Sequence, residues 1–159
     1  MPNDTGPLTH DADDQILQGG QLDMSLGYRL RLAQILAYRD FEEKITDYGA
    51  APRYLGLLQL VDANPGQPQN KLAEAIGLQK SSMVTILDRL EKDGILQRRA
   101  NPGDRRAKTV WLTVLGQSVV TDLTARAIQH EESMARGIPA ADRARLLEML
   151  GQVITNLRH

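Results

Sequence analysis

Residues 67 to 113 spell an order of elements that few folds can accommodate: a short helix, a sharp turn, a longer helix and a hairpin with a basic tip. The first apolar-periodic segment, Leu72, Ala73 and Ile76, stops at Gly77. A second, Met83, Val84, Leu87 and Leu90, predicts a helix from about Gln79 to Asp93 with those four residues as its buried stripe, and stops at Gly94. Ile95 and Leu96 begin a β-run, and Thr109 to Thr113 returns from the tip. This is the order of a winged helix-turn-helix, a module that reads duplex DNA.

The flanks are helical. Leu26, Leu30, Ala33, Ala37, Phe41 and Ile45 recur at helical spacing from Ser25 to about Tyr48, where Gly49 ends the run. A second helix is expected from Pro52 to Ala63 around Tyr54, Leu55, Leu58 and Val61, closed by Asn64-Pro65-Gly66. Pro68 opens the third, to Ile76. Thr113 is placed to cap a fifth helix that carries Val119, Val120, Leu123, Ala127 and Ile128 to about Arg136. A sixth, Ala140 to about Leu157, shows Leu146, Leu147, Leu150, Val153 and Ile154. The expected fold is mainly α: about six helices plus a β-hairpin wing, with helices 25–48 and 114–157 flanking a winged helix-turn-helix at 52–113. The flanking helices are not needed to complete the winged module. Their apolar faces have little to cover except each other and a second copy, so they imply a dimerisation lobe and a symmetric homodimer.

A hydrophobic share of 42% and a charged share of 25% suit one ordinary globular domain, here residues 25–159. No apolar run approaches the ~20 residues that span a bilayer, and no basic-then-apolar signal opens the chain, so no membrane partner is expected. Cysteine is absent, which removes disulfides, thiolate metal sites and thiol redox sensing and suits a cytoplasmic protein. The net charge of −1 conceals a division. Residues 79 to 108 hold eight basic side chains against four acidic, a local +4. Residues 1 to 24 hold five aspartates and no Lys or Arg, and read as a mobile acidic tail with one helical turn around Gln15 to Gln18. Local charge sets the field at a phosphate backbone, so the total matters little.

Opposite the buried stripe of the fourth helix lie Gln79, Lys80, Ser81, Ser82, Thr85 and Arg89. Small hydroxyls let a helix approach base edges, and long cations reach flanking phosphates. The plainer alternative makes Ser81 or Ser82 an N-cap and pairs Arg89 with Asp88 or Asp93. In Asn101-Pro102-Gly103-Asp104, Pro and Gly hold the central positions of a type II turn, which projects Asp104, Arg105 and Arg106. An arginine on such a finger suits the minor groove, and Asp104 can hold Arg106 by a charge-assisted contact. Arg98 can brace the base of the wing or touch a phosphate. Trp111, the only tryptophan, is expected to pack rather than stack on bases.

Competing classes leave weaker traces. There is no Walker loop, no Gly-x-Ser-x-Gly elbow and no His-Glu-x-x-His, so no enzyme and no cofactor is expected. His10, with Asp11, Asp13 and Asp14, reads as solvated tail. A metal-responsive regulator would have to use His10, His130 or His159, and His130 reads as a surface or interface residue. A winged helix serving protein contacts alone would show a neutral or acidic wing tip, against the +4 counted here.

The stretch GILQRRANPGDRRAKTVWLTVLG resembles the wing signature of the MarR (multiple antibiotic resistance regulator) family, with Asp104, Arg106, Val110, Leu112, Thr113 and Gly116 in the marked places. The preceding KLAEAIGLQKSSMVTILDRLEKDGIL is similar to the family's helix-turn-helix. Val110 stands where Leu is usual, and Val114-Leu115 replaces a charged pair. The resemblance, over residues 26 to 157, implies a homodimer on a near-palindromic DNA operator, a repressor released by a small effector. It assigns Gln79, Lys80, Ser81, Ser82 and Thr85 to base and phosphate contacts, Arg106 to the minor groove and Asp104 to positioning it. It puts the effector between the first, second and fifth helices. A phenolic or aromatic acid, or its coenzyme A thioester, is the expected ligand, with Tyr28, Arg29, Arg39, Arg53 and Tyr54 as candidate anchors.

Overall fold

The computed structural model describes residues 20–158, apart from the side chains of Asp23, Arg105 and Arg106. His10, His159 and the turn expected at Gln15 to Gln18 lie outside the described residues. Gly20–Met24, expected as tail, forms a 3-10 helix. Ser25 then caps α1 (Leu26–Glu43), its Oγ accepting from Tyr28 N at 3.2 Å. The chain divides within α1 into one compact unit ending at Ile35 and another beginning at Leu36.

Helix α1 stops at Glu43 rather than near Tyr48. Lys44 N and Ile45 N bond to Phe41 O and Glu42 O at 3.3 and 3.1 Å, the i→i−3 pattern that tightens and closes a last turn. Ile45 is thereby buried beside Ala50 and Ala51 although it has left the helix. The periodicity correctly marked it as core but not as helical.

Pro52–Tyr54 is a 3-10 turn that leads into α2 (Leu55–Ala63), which buries Leu55, Leu57, Leu58 and Val61. Then follow β1 (Gln67–Pro68), α3 (Gln69–Ala75), α4 (Lys80–Lys92), β2 (Leu96–Asn101), β3 (Asp104–Leu112), α5 (Val114–Met134) and α6 (Ala140–Leu157). Between α3 and α4 the chain reverses at Gly77, whose φ of +71° suits only a residue without Cβ. Leu78 N reaches back to Ala73 O at 2.8 Å, closing the C-terminus of α3.

The three strands are antiparallel in the order β1-β3-β2, with Gln67 opposite Val110 and Leu96 opposite Leu112. Strand β1 went unforeseen because two residues carry no alternation, and one of them is a proline confined to the sheet edge. The core joins Leu58 and Val61 of α2, Met83, Leu87 and Leu90 of α4, Leu96 and Val110 of the sheet, and Val119 and Leu123 of α5. Each such leucine contributes about 1.5–3 kcal/mol by leaving water.

Helix α6 differs from all of these. It buries no residue, and Leu147 and Leu157 are 65% and 71% exposed. Polar ties hold it instead, from Arg143 to Glu132 of α5 at 2.9 Å and from Arg158 to the Ala75 carbonyl of α3 at 3.0 Å. Ile128, on the apolar face expected for α5, is also exposed. No described helix is long and apolar enough to cross a membrane.

Candidate nucleic-acid interface

Helix α4 turns inward the face that carries Met83, Leu87 and Leu90, with Ile86 packed against the same core. Val84, expected in that stripe, is 38% exposed and lies outward. Ile86 takes the place because Met83, Ile86, Leu87 and Leu90 follow the helical repeat more closely around one side. Gln79, Lys80, Ser81, Ser82, Thr85 and Arg89 are all exposed, as a reading face requires. Neither serine is an N-cap: Gln79 holds that position and its side chain makes no capping bond. Arg89 pairs with neither Asp88 nor Asp93. Asp88 faces Arg98, and Asp93 Oδ2 accepts from Ala50 N at 3.3 Å.

Arg98 resolves in favour of bracing. It rises from β2 against α4 with only 11% of its side chain exposed, and its guanidinium meets Glu91 at 2.6 Å and Asp88 at 2.5 Å. Its backbone N–H also donates to Glu91 Oε1 at 2.9 Å. Burial works against the Arg98 charge, but the bonds to Glu91 and Asp88 outweigh it and raise its pKa. The same side chain, with the backbone donor second, holds the Glu91 carboxyl below its ordinary range. These contacts lock the wing to α4, and the single guanidinium offsets one of the two carboxylate charges.

Replacing Arg98 by methionine should therefore lower stability at pH 7 by about 1–2 kcal/mol, between the values for exposed and buried pairs. Glu91 has a depressed folded pKa, so its contribution is complete above its unfolded value of 4.5 and is lost as pH falls through the lower folded value. Urea unfolding of both proteins at pH 7 and pH 3 checks this. The gap between them should narrow in acid, and an equal gap at both pH values would show that charge pairing is not what Arg98 contributes.

The wing itself is a tight hairpin with Asn101 opposite Asp104. Gly103 does not take positive φ, so the turn is not the expected type II. The Asn101 carboxamide oxygen accepts from Gly103 N at 3.0 Å and closes the turn from its own side chain. The expected pairing of Asp104 with Arg106 and the reach of Arg105 fall on side chains outside the description. Trp111 packs as expected: its Nε1 donates to Thr109 Oγ1 at 3.0 Å and its ring lies half-buried under the Arg99 guanidinium, 4.8 Å from the centroid. Arg99 had no expected role. Its signal was the strand register, which sets it diagonally across from Trp111, and that is invisible without the pairing.

At the other end of the wing, Thr113 joins three elements. Its Oγ1 donates to Gly94 O at 2.6 Å and accepts from Gly116 N at 2.9 Å, so it is the N-cap of α5 as expected.

Among the cavities of the second unit, two bear on the effector residues. One, of ≈ 310 Å³, is lined by Arg53 and Tyr54, with Arg89 of α4 across from them. Arg53 is not idle there, since its guanidinium grips Glu42 at 2.8 and 3.2 Å and lowers that carboxyl's pKa. A second, of ≈ 230 Å³, lies among α1, α2 and α5, lined by Tyr38, Phe41, Leu55, Gln59, His130 and Met134. Arg39 is exposed and lines neither, and Tyr28 and Arg29 belong to the first unit.

His130, expected as a surface or interface residue, is not at the surface of its own chain. Its side chain is 9% exposed, its ring sits 5.3 Å from that of Phe41, and Nε2 lies 3.0 Å from Asp40 Oδ2. Sequence spacing gave no hint of this, because Ile128 two residues earlier faces solvent. Among the described residues no three metal-ligating side chains come together.

Residues 52–108 match the model of the MarR family. The putative transcriptional regulatory protein for the hcr operon of Thauera aromatica is 31% identical over 132 residues, which are 82% of this chain and 80% of that protein. Among solved structures, the transcriptional repressor CouR bound to a 23-mer DNA duplex superposes with a TM-score of 0.78 at 31% identity, covering 87% of this chain and 99% of that one. CouR bound to p-coumaroyl-CoA gives a TM-score of 0.73 at 28% identity, covering 87% and 98%.

Proposed function

Because the chain belongs to the MarR family of DNA-binding transcriptional regulators and is not an enzyme, we propose that it is a homodimeric repressor released from a near-palindromic operator by an aromatic acid or its coenzyme A thioester. The observation that carries the DNA half is the outward face of α4, polar, basic and unoccupied by its own core, next to a wing locked in place by Arg98. Gln79, Lys80, Ser81, Ser82 and Thr85 meet the major groove, and Arg105 and Arg106 at the wing meet the backbone and the minor groove. Arg98 acts through the wing rather than on DNA.

The dimer rests on α6. A helix of 18 residues with no buried side chain and five exposed large apolar ones, Leu146, Leu147, Met149, Ile154 and Leu157, is stable in water only when a second copy covers it. Two-fold symmetry then sets the two α4 helices about 34–36 Å apart, one turn of DNA.

For the effector, the 230 Å³ cavity among α1, α2 and α5 supports a single substituted ring; benzene already fits an apolar cavity of roughly 150 Å³. Tyr38 and His130 offer polar groups to it beside the apolar wall of Phe41, Leu55 and Met134. The likeness to a repressor bound to p-coumaroyl-CoA supports a thioester whose coenzyme part stays outside so small a space. Arg53, Tyr54 and Arg89 around the neighbouring cavity are candidates for its phosphates. Release is linkage: a ligand that fits one spacing of the reading helices lowers operator affinity by its preference for that conformer.

Selection of bound sequences from random duplex DNA, followed by titration with aromatic acids and aryl-coenzyme A thioesters, tests both halves. A thioester should weaken duplex binding roughly 5- to 150-fold, the usual range of allosteric coupling. Failure to select any duplex would remove the DNA half, and binding indifferent to every ligand tried would remove the effector half. Sedimentation should find two chains per particle.

A further inference from the structure

We infer that α4 reads thymine methyl groups, through Val84 and Thr85; the inference rests on the reading of α4 as the element in the major groove. Val84 is 38% exposed on a face whose other members are Gln79, Lys80, Ser81, Ser82 and Thr85. Ile86 occupies the inward place that the sequence pattern offered to Val84. Thr85 looks polar in the sequence, but the one proton it can donate is engaged within its own helix. Its hydroxyl turns back along the helix and donates to Ser81 O at 3.3 Å, so the side chain offers its methyl outward.

Two neighbouring branched side chains thus present apolar surface in the middle of a reading face. Ser81 precedes them by one turn and Asp88, held by Arg98, follows by one turn. Apolar surface loses its water favourably only against another apolar group. The edge of the major groove carries one such group, the 5-methyl of thymine, and nothing comparable on guanine, cytosine or adenine. Between Lys80 at the start of α4 and Arg89 near its end, the face holds no arginine, lysine, asparagine or glutamine that would bid for guanine or adenine. Sequence preference at the centre of each half-site therefore comes from methyl contacts.

The test uses a duplex selected by the full-length protein, in which each thymine in turn is replaced by uracil. Uracil keeps every hydrogen-bonding group and lacks only the methyl. Wild-type protein should lose about fourfold in affinity at one or two thymines per half-site, the worth of one buried methyl-sized group. Val84→Ala should abolish that sensitivity at one thymine and Thr85→Ser, which keeps the back-bonded hydroxyl, at the other. Both residues are exposed, so neither change disturbs the core. Uracil scanning without effect on a duplex that the wild type binds, or a sensitivity unchanged in both variants, overturns the inference and leaves the DNA-binding reading intact. Absence of any selected duplex overturns both.

Discussion

Gly116→Ala should cost about 3 kcal/mol or more of stability, read as a lowered urea midpoint with an unchanged slope. A Cβ on residue 116 would stand 1.9 Å from the Ile95 carbonyl oxygen and 2.9 Å from its carbon. Both are backbone atoms, so no flexible side chain can swing aside. The carbonyl is also engaged, accepting from Thr113 N at 3.1 Å. Moving it would disturb the join of β2 to β3 and the first turn of α5 together. Alanine has the better helix propensity by about 1 kcal/mol, which opposes the loss and is smaller than it. The Thr113-x-x-Gly116 spacing of the family signature thus has a physical reason: the threonine caps the helix, and the glycine lets the helix start lie directly on the Ile95 backbone that leads into β2. A variant within about half a kcal/mol of the wild type would show that α5 does not make this contact in solution.

Arg106→Ala should weaken binding to the selected duplex by about 1–3 kcal/mol while leaving the fold intact. The residue lies on β3 near the wing tip, and in the family pattern it is the cation of the minor groove. A narrow groove concentrates negative potential, so a guanidinium there gains more than one lying along a phosphate. The two roles separate experimentally. A minor-groove contact makes the loss depend on whether A·T or G·C pairs face the wing, whereas a phosphate contact weakens all duplexes alike and lowers the salt slope by about one. Duplex affinity of the variant equal to wild type would remove the wing from the interface. Together with Arg98→Met this measures the wing twice, once at its tip and once at its root.

Much of this was legible without coordinates. Gly77 and Gly94 bracketed α4 because a helix end needs local backbone freedom, and that is a property of neighbours in sequence. The Thr113 cap was legible for the same reason. The termination of α1 was not, because Ile45 keeps its apolar character while buried by Ala50 and Ala51 beyond the bend. Nor was the turn type: Pro-Gly suggested type II, but the Asn101 side chain closes the turn another way. His130 and Arg98 were each left with two readings, and both depended on which carboxylates lay opposite. Asp40 on α1, and Glu91 and Asp88 on α4, are brought there only by packing.

What the residues settled by themselves was the succession of elements, the ends of α4 and the charge of its surroundings, since helix periods, caps and charge counts act within a few positions. Tertiary packing decided which of two adjacent branched residues, Val84 or Ile86, turns into the core. It also paired Arg98 with two acids, and it left α6 with a long apolar face that none of the described residues buries. Those outcomes depend on distances between segments far apart in sequence, and only a folded chain sets them.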